Sequence, residues 1–110
     1  MTNKPRRFTD AILEGLALQP APQSVVCPDD VKHNKPHAEP VLLACEQVGI
    51  APQHTVFIGD HLRDIESGRN AGTATIAAAF GYIDDEERPQ DWGADYLVDD
   101  SRQLYELLIA

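Results

Sequence analysis

Positive charge is in short supply in this chain of 110 residues: 9 Lys and Arg stand against 18 Asp and Glu, a net charge of −9. Nonspecific nucleic-acid binding and adhesion to an anionic membrane both need surplus cations, so both are excluded as expectations. Long apolar runs are missing too. Stretches such as Ala77 to Phe80 are far too short to span a bilayer. The first residues carry no apolar core of a secretory signal, so nothing there directs export. Two cysteines make no disulfide framework. Cys27 and Cys45 sit among apolar neighbours and read as buried, reduced thiols of a cytoplasmic protein. Internal repeats and low-complexity segments are also absent.

What is present is the composition of one ordinary globular domain, with 43% hydrophobic and 25% charged residues. Charge is distributed unevenly. Residues 1–7 hold Lys4, Arg6 and Arg7 with no acid, whereas residues 84–100 hold eight acids against Arg88 alone. The acidic run Asp84 to Glu87 has no apolar face to fix it and reads as a solvated loop rim rather than a metal site.

Helix-like and strand-like pieces alternate along the chain. Residues 5–18 have Pro5 in the first turn and Phe8, Ile12, Leu13 and Leu16 on one stripe, which predicts a helix ended by Pro20 and Pro22. Ser24 to Cys27 is a short apolar strand, and residues 28–37, with Pro28 and Pro36, are a loop. Glu39 to Val48 is a helix burying Val41, Leu42, Cys45 and Val48, with Gly49 as its stop. Thr55 to Ile58 is an unbroken apolar run, expected of a strand buried on both faces. A helix over Leu62 to Ala71, strands at Thr75 to Phe80 and Tyr96 to Val98, and a last helix capped by Ser101 complete the pattern. Strands separated by helices of this length predict an α/β fold with a parallel sheet flanked by helices, and chemistry beyond the C-terminal strand ends. That places attention on residues 27–35, 59–64 and 80–85.

Three features there carry chemistry. Gly59, Asp60 and Asp64 follow the strand at Thr55 to Ile58. Two carboxylates so spaced can hold a hard cation such as Mg²⁺, or one can cap the next helix while the other complements its dipole. Lys35 lies between a strand and a helix, where an ammonium either meets a phosphate or carboxylate or rests on the surface. Thr2 and Asn3 precede a helix start and offer donors for a phosphate, or belong to a frayed terminus. His61 follows Asp60 and faces either the crevice, as a substrate contact, or solvent. His33 and His37 have a metal-like spacing that Pro36 interrupts, which argues against a zinc site. His54 reads as a loop histidine.

Hydroxyl, then lysine, then Gly-Asp-x-x-x-Asp, each at a strand end: in this order the chain resembles the haloacid dehalogenase (HAD) superfamily of phosphohydrolases over nearly its whole length. Asn34-Lys35-Pro36-His37-Ala38-Glu39-Pro40 resembles the family's lysine motif. Gly59 to Asp64 with Asn70-Ala71-Gly72 resembles its acidic motif, and Thr2-Asn3-Lys4-Pro5 the end of its Ser/Thr motif. Within the superfamily the chain is similar to the phosphoglycolate phosphatase group, its N-acetylmuramic acid 6-phosphate phosphatase subgroup in particular. The resemblance implies a Rossmann-like core, Mg²⁺ as cofactor held by Asp60 and Asp64, phosphoryl contacts from Thr2, Asn3 and Lys35, and a small phosphorylated metabolite as substrate, either phosphoglycolate or a sugar phosphate.

One departure is large. The family's nucleophile belongs to an Asp-x-Asp motif, and no Asp-x-Asp occurs in this sequence. Nor is there room for the family's cap domain. Residues 1–110 therefore resemble the C-terminal part of a HAD-like core, without its first strand and cap. Such a chain is expected to be inactive alone, and either to fold poorly or to self-associate through exposed strand edges. The alternatives are a noncatalytic phosphate- or Mg²⁺-binding regulatory fragment and a phospho-receiver module. The receiver is disfavoured because its acids precede its Thr and Lys.

Overall fold

In a computed structural model, residues 1–17, 22–80 and 88–109 are described. The expected acidic loop at 84–87 and the ends of the first helix and of the 80–85 crevice segment lie outside them. The elements are α1 (Arg6–Leu16), α2 (Glu39–Val48), β1 (Val56–Gly59), α3 (Leu62–Ala71), β2 (Ala74–Ala78), β3 (Tyr96–Val98) and α4 (Ser101–Ile109), with single 3-10 turns at Pro28–Asp30, Pro52–His54 and Pro89–Asp91. The strands form one parallel sheet in the order β1-β2-β3, with Ile58 opposite Ile76 and Ile76 opposite Tyr96. Among the described residues no helix is long and apolar enough to cross a membrane.

The core lies under α3. Ile65 packs on Ala77 and Trp92, all nearly inaccessible, with Ala94 against them. At Gly68 the helix lies flush on the sheet, within contact distance of Thr75 and Phe57. A missing side chain is what permits that approach, and it fixes the height of the helix over the strands. Thr75 ties β2 to the start of β3: its N–H donates to the Asp95 carboxylate at 2.8 Å, and the Asp95 N–H donates back to Thr75 Oγ1 at 3.1 Å. α2 packs on α3, and α4 on β3.

Several expectations need correction. Val26 and Cys27 are buried and Cys27 is extended, yet Ser24 to Cys27 is no strand of the sheet; its backbone link to the chain start is Thr2 N–H to the Val26 carbonyl at 3.0 Å. Apolar pattern reports burial, but a strand also needs a neighbour to complete a ladder. Leu42, expected on the buried face of α2, is exposed, and so are Phe8, Ile12 and Leu16 of the α1 stripe. β1 is not buried on both faces, since Val56 and Ile58 are 46% and 39% exposed. All of these side chains need a covering element, and no described element covers them. α4 is capped by Asp100 rather than Ser101: the Asp100 carboxylate accepts the Gln103 N–H at 2.8 Å, and the Gln103 side chain accepts the Asp99 N–H in return.

Candidate active site at the β1 strand end

β1 ends at Gly59, and the chain turns directly into α3. The turn is held by one side chain. Asp64, on the first turn of α3, folds back so that its Oδ2 accepts the N–H groups of Asp60 and His61, both at 3.2 Å. These are donors that a helix start leaves without partners. Gly59 is what lets Asp64 reach them: a Cβ there would stand 2.2 Å from the Asp64 Cβ.

The other Asp64 oxygen, Oδ1, receives a hydrogen bond from Lys35 Nζ at 2.6 Å, and both side chains are more than nine-tenths buried. Burial by itself pushes the Asp64 carboxyl up. The Lys35 hydrogen bond and charge, with help from the Asp60 N–H, outweigh it and hold the group below the ordinary carboxylate range. Asp60 is half-exposed and pairs with His61, whose Nδ1 lies 2.7 Å from Asp60 Oδ1 and 3.7 Å from Asp64 Oδ2. Ligand atoms of Asp60, His61 and Asp64 lie within 4.8 Å of one another. Together with Lys35, Met1 and Phe80 these carboxylates line an open cavity of about 410 Å³ across the ends of β1 and β2.

The structure thus brings Lys35, Asp60, His61 and Asp64 together. It places Thr2 and Asn3 beside the cavity's Met1 wall rather than on the lining, and Thr2 Oγ1 accepts the Lys4 N–H at 3.1 Å. His33 and His37 stack with ring centroids 4.7 Å apart, and His37 Nδ1 is taken by the Glu39 N–H. His54 is exposed in the Pro52–His54 turn.

Sequence reading missed the groups that aim Lys35. The loop carrying it is pinned on both sides. The Glu39 carboxylate accepts the N–H groups of Lys32 at 2.8 Å and His33 at 3.2 Å, and the Lys32 bond in particular holds Glu39 below its usual carboxylate range. From α3, Ser67 Oγ donates to the His37 carbonyl at 2.6 Å and Asn70 Nδ2 to the Pro36 carbonyl at 3.1 Å. The signal was available: Ser67 is three residues beyond Asp64, hence on the same helix face. Ser67→Ala is expected to cost roughly 1 kcal/mol in urea unfolding, the ordinary worth of one such bond. A change below the error of the measurement would show that the loop is held without it.

Lys35 also sets a pH dependence. Because the folded carboxyl of Asp64 is depressed, its contribution to stability is complete above the unfolded carboxylate pKa and is lost as pH falls through the folded value. In Lys35→Met the Asp64 carboxyl moves back up, so the loss of stability on acidification is expected to shrink. Parallel stability curves for the two proteins between neutral pH and the acid range would contradict this coupling.

A family model for haloacid dehalogenase-like hydrolases matches residues 1–78. The chain belongs to that family. Among its relatives, the N-acetylmuramic acid 6-phosphate phosphatase of Pseudomonas aeruginosa is 52% identical over 108 residues, which are 98% of this chain and 48% of the relative. A phosphoglycolate phosphatase of Xanthomonas campestris is 37% identical over 106 residues, again 48% of its length. Among solved structures, a HAD-superfamily hydrolase of subfamily IA from Geobacter sulfurreducens superposes with a TM-score of 0.76 at 28% identity, covering 97% of this chain and 46% of that one. A predicted phosphoglycolate phosphatase from Haemophilus somnus gives a TM-score of 0.86 over 98% of this chain and 48% of its own; at 24% identity it speaks for the fold alone. The HAD-like chain therefore spans about half the length of the curated relatives it matches.

Proposed function

We propose that this chain carries the metal-binding and charge-neutralising half of a Mg²⁺-dependent phosphomonoesterase acting on a small phosphorylated metabolite, a sugar phosphate or phosphoglycolate. The observation that carries the reading is the buried Lys35–Asp64 contact of 2.6 Å with Asp60 beside it, at a strand end. The donor set fits the ion. Asp60 and Asp64 supply hard carboxylate oxygens, and Mg²⁺ usually takes one or two of these and keeps several waters. Such an ion would supply charge neutralisation at the phosphoryl oxygens and a template for in-line displacement. The chain's own residues do the rest. The Lys35 ammonium, fixed by its pinned loop, stabilises charge developing on the phosphoryl group. Thr2 and Asn3 supply phosphoryl hydrogen bonds from the Met1 wall, and His61 orients Asp60 or meets the substrate.

The sequence has no Asp-x-Asp, and this favours a second reading: a fragment that binds phosphate and Mg²⁺ without turnover. Asp60→Asn tests the metal site in either case. Loss of one carboxylate charge is expected to weaken Mg²⁺ binding to the chain by about tenfold or more, read by calorimetry. Unchanged affinity would remove Asp60 from the metal site. In a longer protein that includes the nucleophile, the same change is expected to abolish Mg²⁺-dependent hydrolysis of p-nitrophenyl phosphate.

A further inference from the structure

His33, His37 and Glu39 form a clasp around the loop that carries Lys35. Glu39 opens α2, and its backbone N–H donates to His37 Nδ1 at 3.0 Å. A ring nitrogen that accepts must offer a lone pair, so the neutral ring of His37 carries its hydrogen on Nε2. The Glu39 carboxylate reaches back to the Lys32 and His33 N–H groups, and the His33 ring stacks on that of His37 with the planes 27° apart. The His37 N–H closes the turn by donating to the Asn34 carbonyl at 2.9 Å. Lys35 lies within this set of contacts, aimed at Asp64. Other charges stand around the two rings. Lys32 shares an open cavity of about 500 Å³ with both histidines, and Asp30, Glu39 and Glu46 share one of about 380 Å³ with His37 on the α2 side. Asp30 already pairs with Arg6. α3 offers the loop Ser67 and Asn70, neither of which titrates, and its Glu66 and Arg69 line a cavity that neither histidine lines.

We propose that this clasp is a proton-operated latch on the Lys35 loop, closed while His37 is neutral and open once its Nδ1 takes up a proton from solvent. The proton occupies the lone pair that the Glu39 N–H uses, so that hydrogen bond breaks and the two N–H groups oppose each other. If the ring turns, its new N–H reaches the Glu39 carboxylate only in competition with the Lys32 and His33 N–H groups already bound there. Two imidazolium rings with centroids 4.7 Å apart also repel, which opens the stack. Ser67 and Asn70 keep the His37 and Pro36 carbonyls throughout, so the loop opens from its Lys32 end. Histidine is the side chain that ordinarily changes charge between about pH 5 and 8. Asp30, Glu39 and Asp64 are held below the ordinary carboxylate range by their hydrogen bonds and keep their charge across that window. Any bearing of the latch on catalysis rests on the phosphatase reading; the release of the loop does not.

The experiment is nuclear magnetic resonance of the whole chain, without added metal, from about pH 7.5 to about pH 5.5. Long-range proton–nitrogen spectra of the imidazoles are expected to show His37 as the Nε2–H tautomer at the upper end. On acidification the Glu39 amide signal should move with the His37 ring. With the same midpoint, the Lys32 and His33 amides should exchange about fivefold faster after correction for the intrinsic effect of pH, the worth of one ordinary hydrogen bond. His37→Asn puts a carbonyl oxygen where Nδ1 stood, an acceptor that takes up no proton, and is expected to keep both amides protected and abolish the step. That variant also separates His37 from the Met1 amino group, which burial and Lys35 push below its ordinary value. An Nδ1–H tautomer at the upper pH, a Glu39 amide that ignores the His37 midpoint, unchanged protection of Lys32 and His33, or a step that persists in His37→Asn would each overturn the proposal. Should His37→Asn fail to fold, the shared midpoint in the unaltered chain decides. No turnover enters the readout, so its failure and that of the phosphatase reading are distinguishable.

Discussion

Purified as 110 residues and saturated with Mg²⁺, this chain is expected to release no phosphate from phosphoglycolate, sugar phosphates or p-nitrophenyl phosphate. Covalent phosphoryl transfer needs an activated nucleophile within bonding reach of phosphorus. The acids of the site are engaged elsewhere. Asp64 spends one oxygen on Lys35 and the other on two backbone N–H groups, and Asp60 pairs with His61. Asp10 lies on α1, paired with Arg6, and has no strand end to hold it at the cavity. Deleting the nucleophile of an enzyme that works through a covalent intermediate costs on the order of a millionfold in turnover. A longer protein that includes the nucleophile strand and cap should recover that factor. Turnover by the short chain that vanishes in Asp60→Asn would demand a different nucleophile and sink the reading of this chain as an incomplete catalyst.

The second large effect is expected from Gly59→Ala. The new Cβ would lie 2.2 Å from the Asp64 Cβ and 2.9 Å from its Cγ and Oδ2. Both atoms of the closest pair are bonded directly to the backbone, so no rotamer change relieves the clash; β1 or the first turn of α3 must move. The cost is expected to be roughly 3 kcal/mol, at the upper end for overpacking, with a fall in Tm of about 12 °C. The same shift pulls the Asp64 carboxylate off the Asp60 and His61 N–H groups. Urea unfolding followed by circular dichroism measures it. A loss under about 1 kcal/mol would mean that the turn yields easily and that glycine is not required there.

The strand-turn-helix at Val56 to Ala71 was legible because its signals are local. An apolar run, a glycine, an acid at each of two fixed offsets and a glycine stop all lie within one stretch of chain. Gly72 ends α3 at φ 88°, as its place in the sequence suggested. Lys35 was legible as a candidate but not its partner, which is 29 residues away. Ser67 and Asn70 reach carbonyls 30 and 34 residues back, and no periodicity announces a hydrogen bond to someone else's backbone. The apolar stripe of α1 was legible as a stripe, and Phe8, Ile12 and Leu16 on it are exposed. Hydrophobic pattern states which face seeks cover, and the cover has to come from another part of the fold. Ser24 to Cys27 failed as a strand for the same reason. At α4 the choice between Asp100 and Ser101 as cap was a shift of one position, within the reach of local chemistry but beyond the resolution of pattern.

The spacing along α3 has a consequence for how the sequence can change length. Asp64 grips the β1 turn, Ser67 the His37 carbonyl and Asn70 the Pro36 carbonyl, so three successive helical steps are keyed to two separate loops. One residue inserted between Asp64 and Ser67 would rotate everything after it by about 100° and advance it by about 1.5 Å. Ser67 and Asn70 would then leave the Lys35 loop, and Ile65 or its replacement would leave Trp92. Three or four inserted residues, close to a full turn, would restore the face but carry both donors about 5 Å past their carbonyls. Neither change can be absorbed. Insertions and deletions should therefore be purged from residues 59–72 of this chain and its relatives, and length variation should collect instead in the connections between elements.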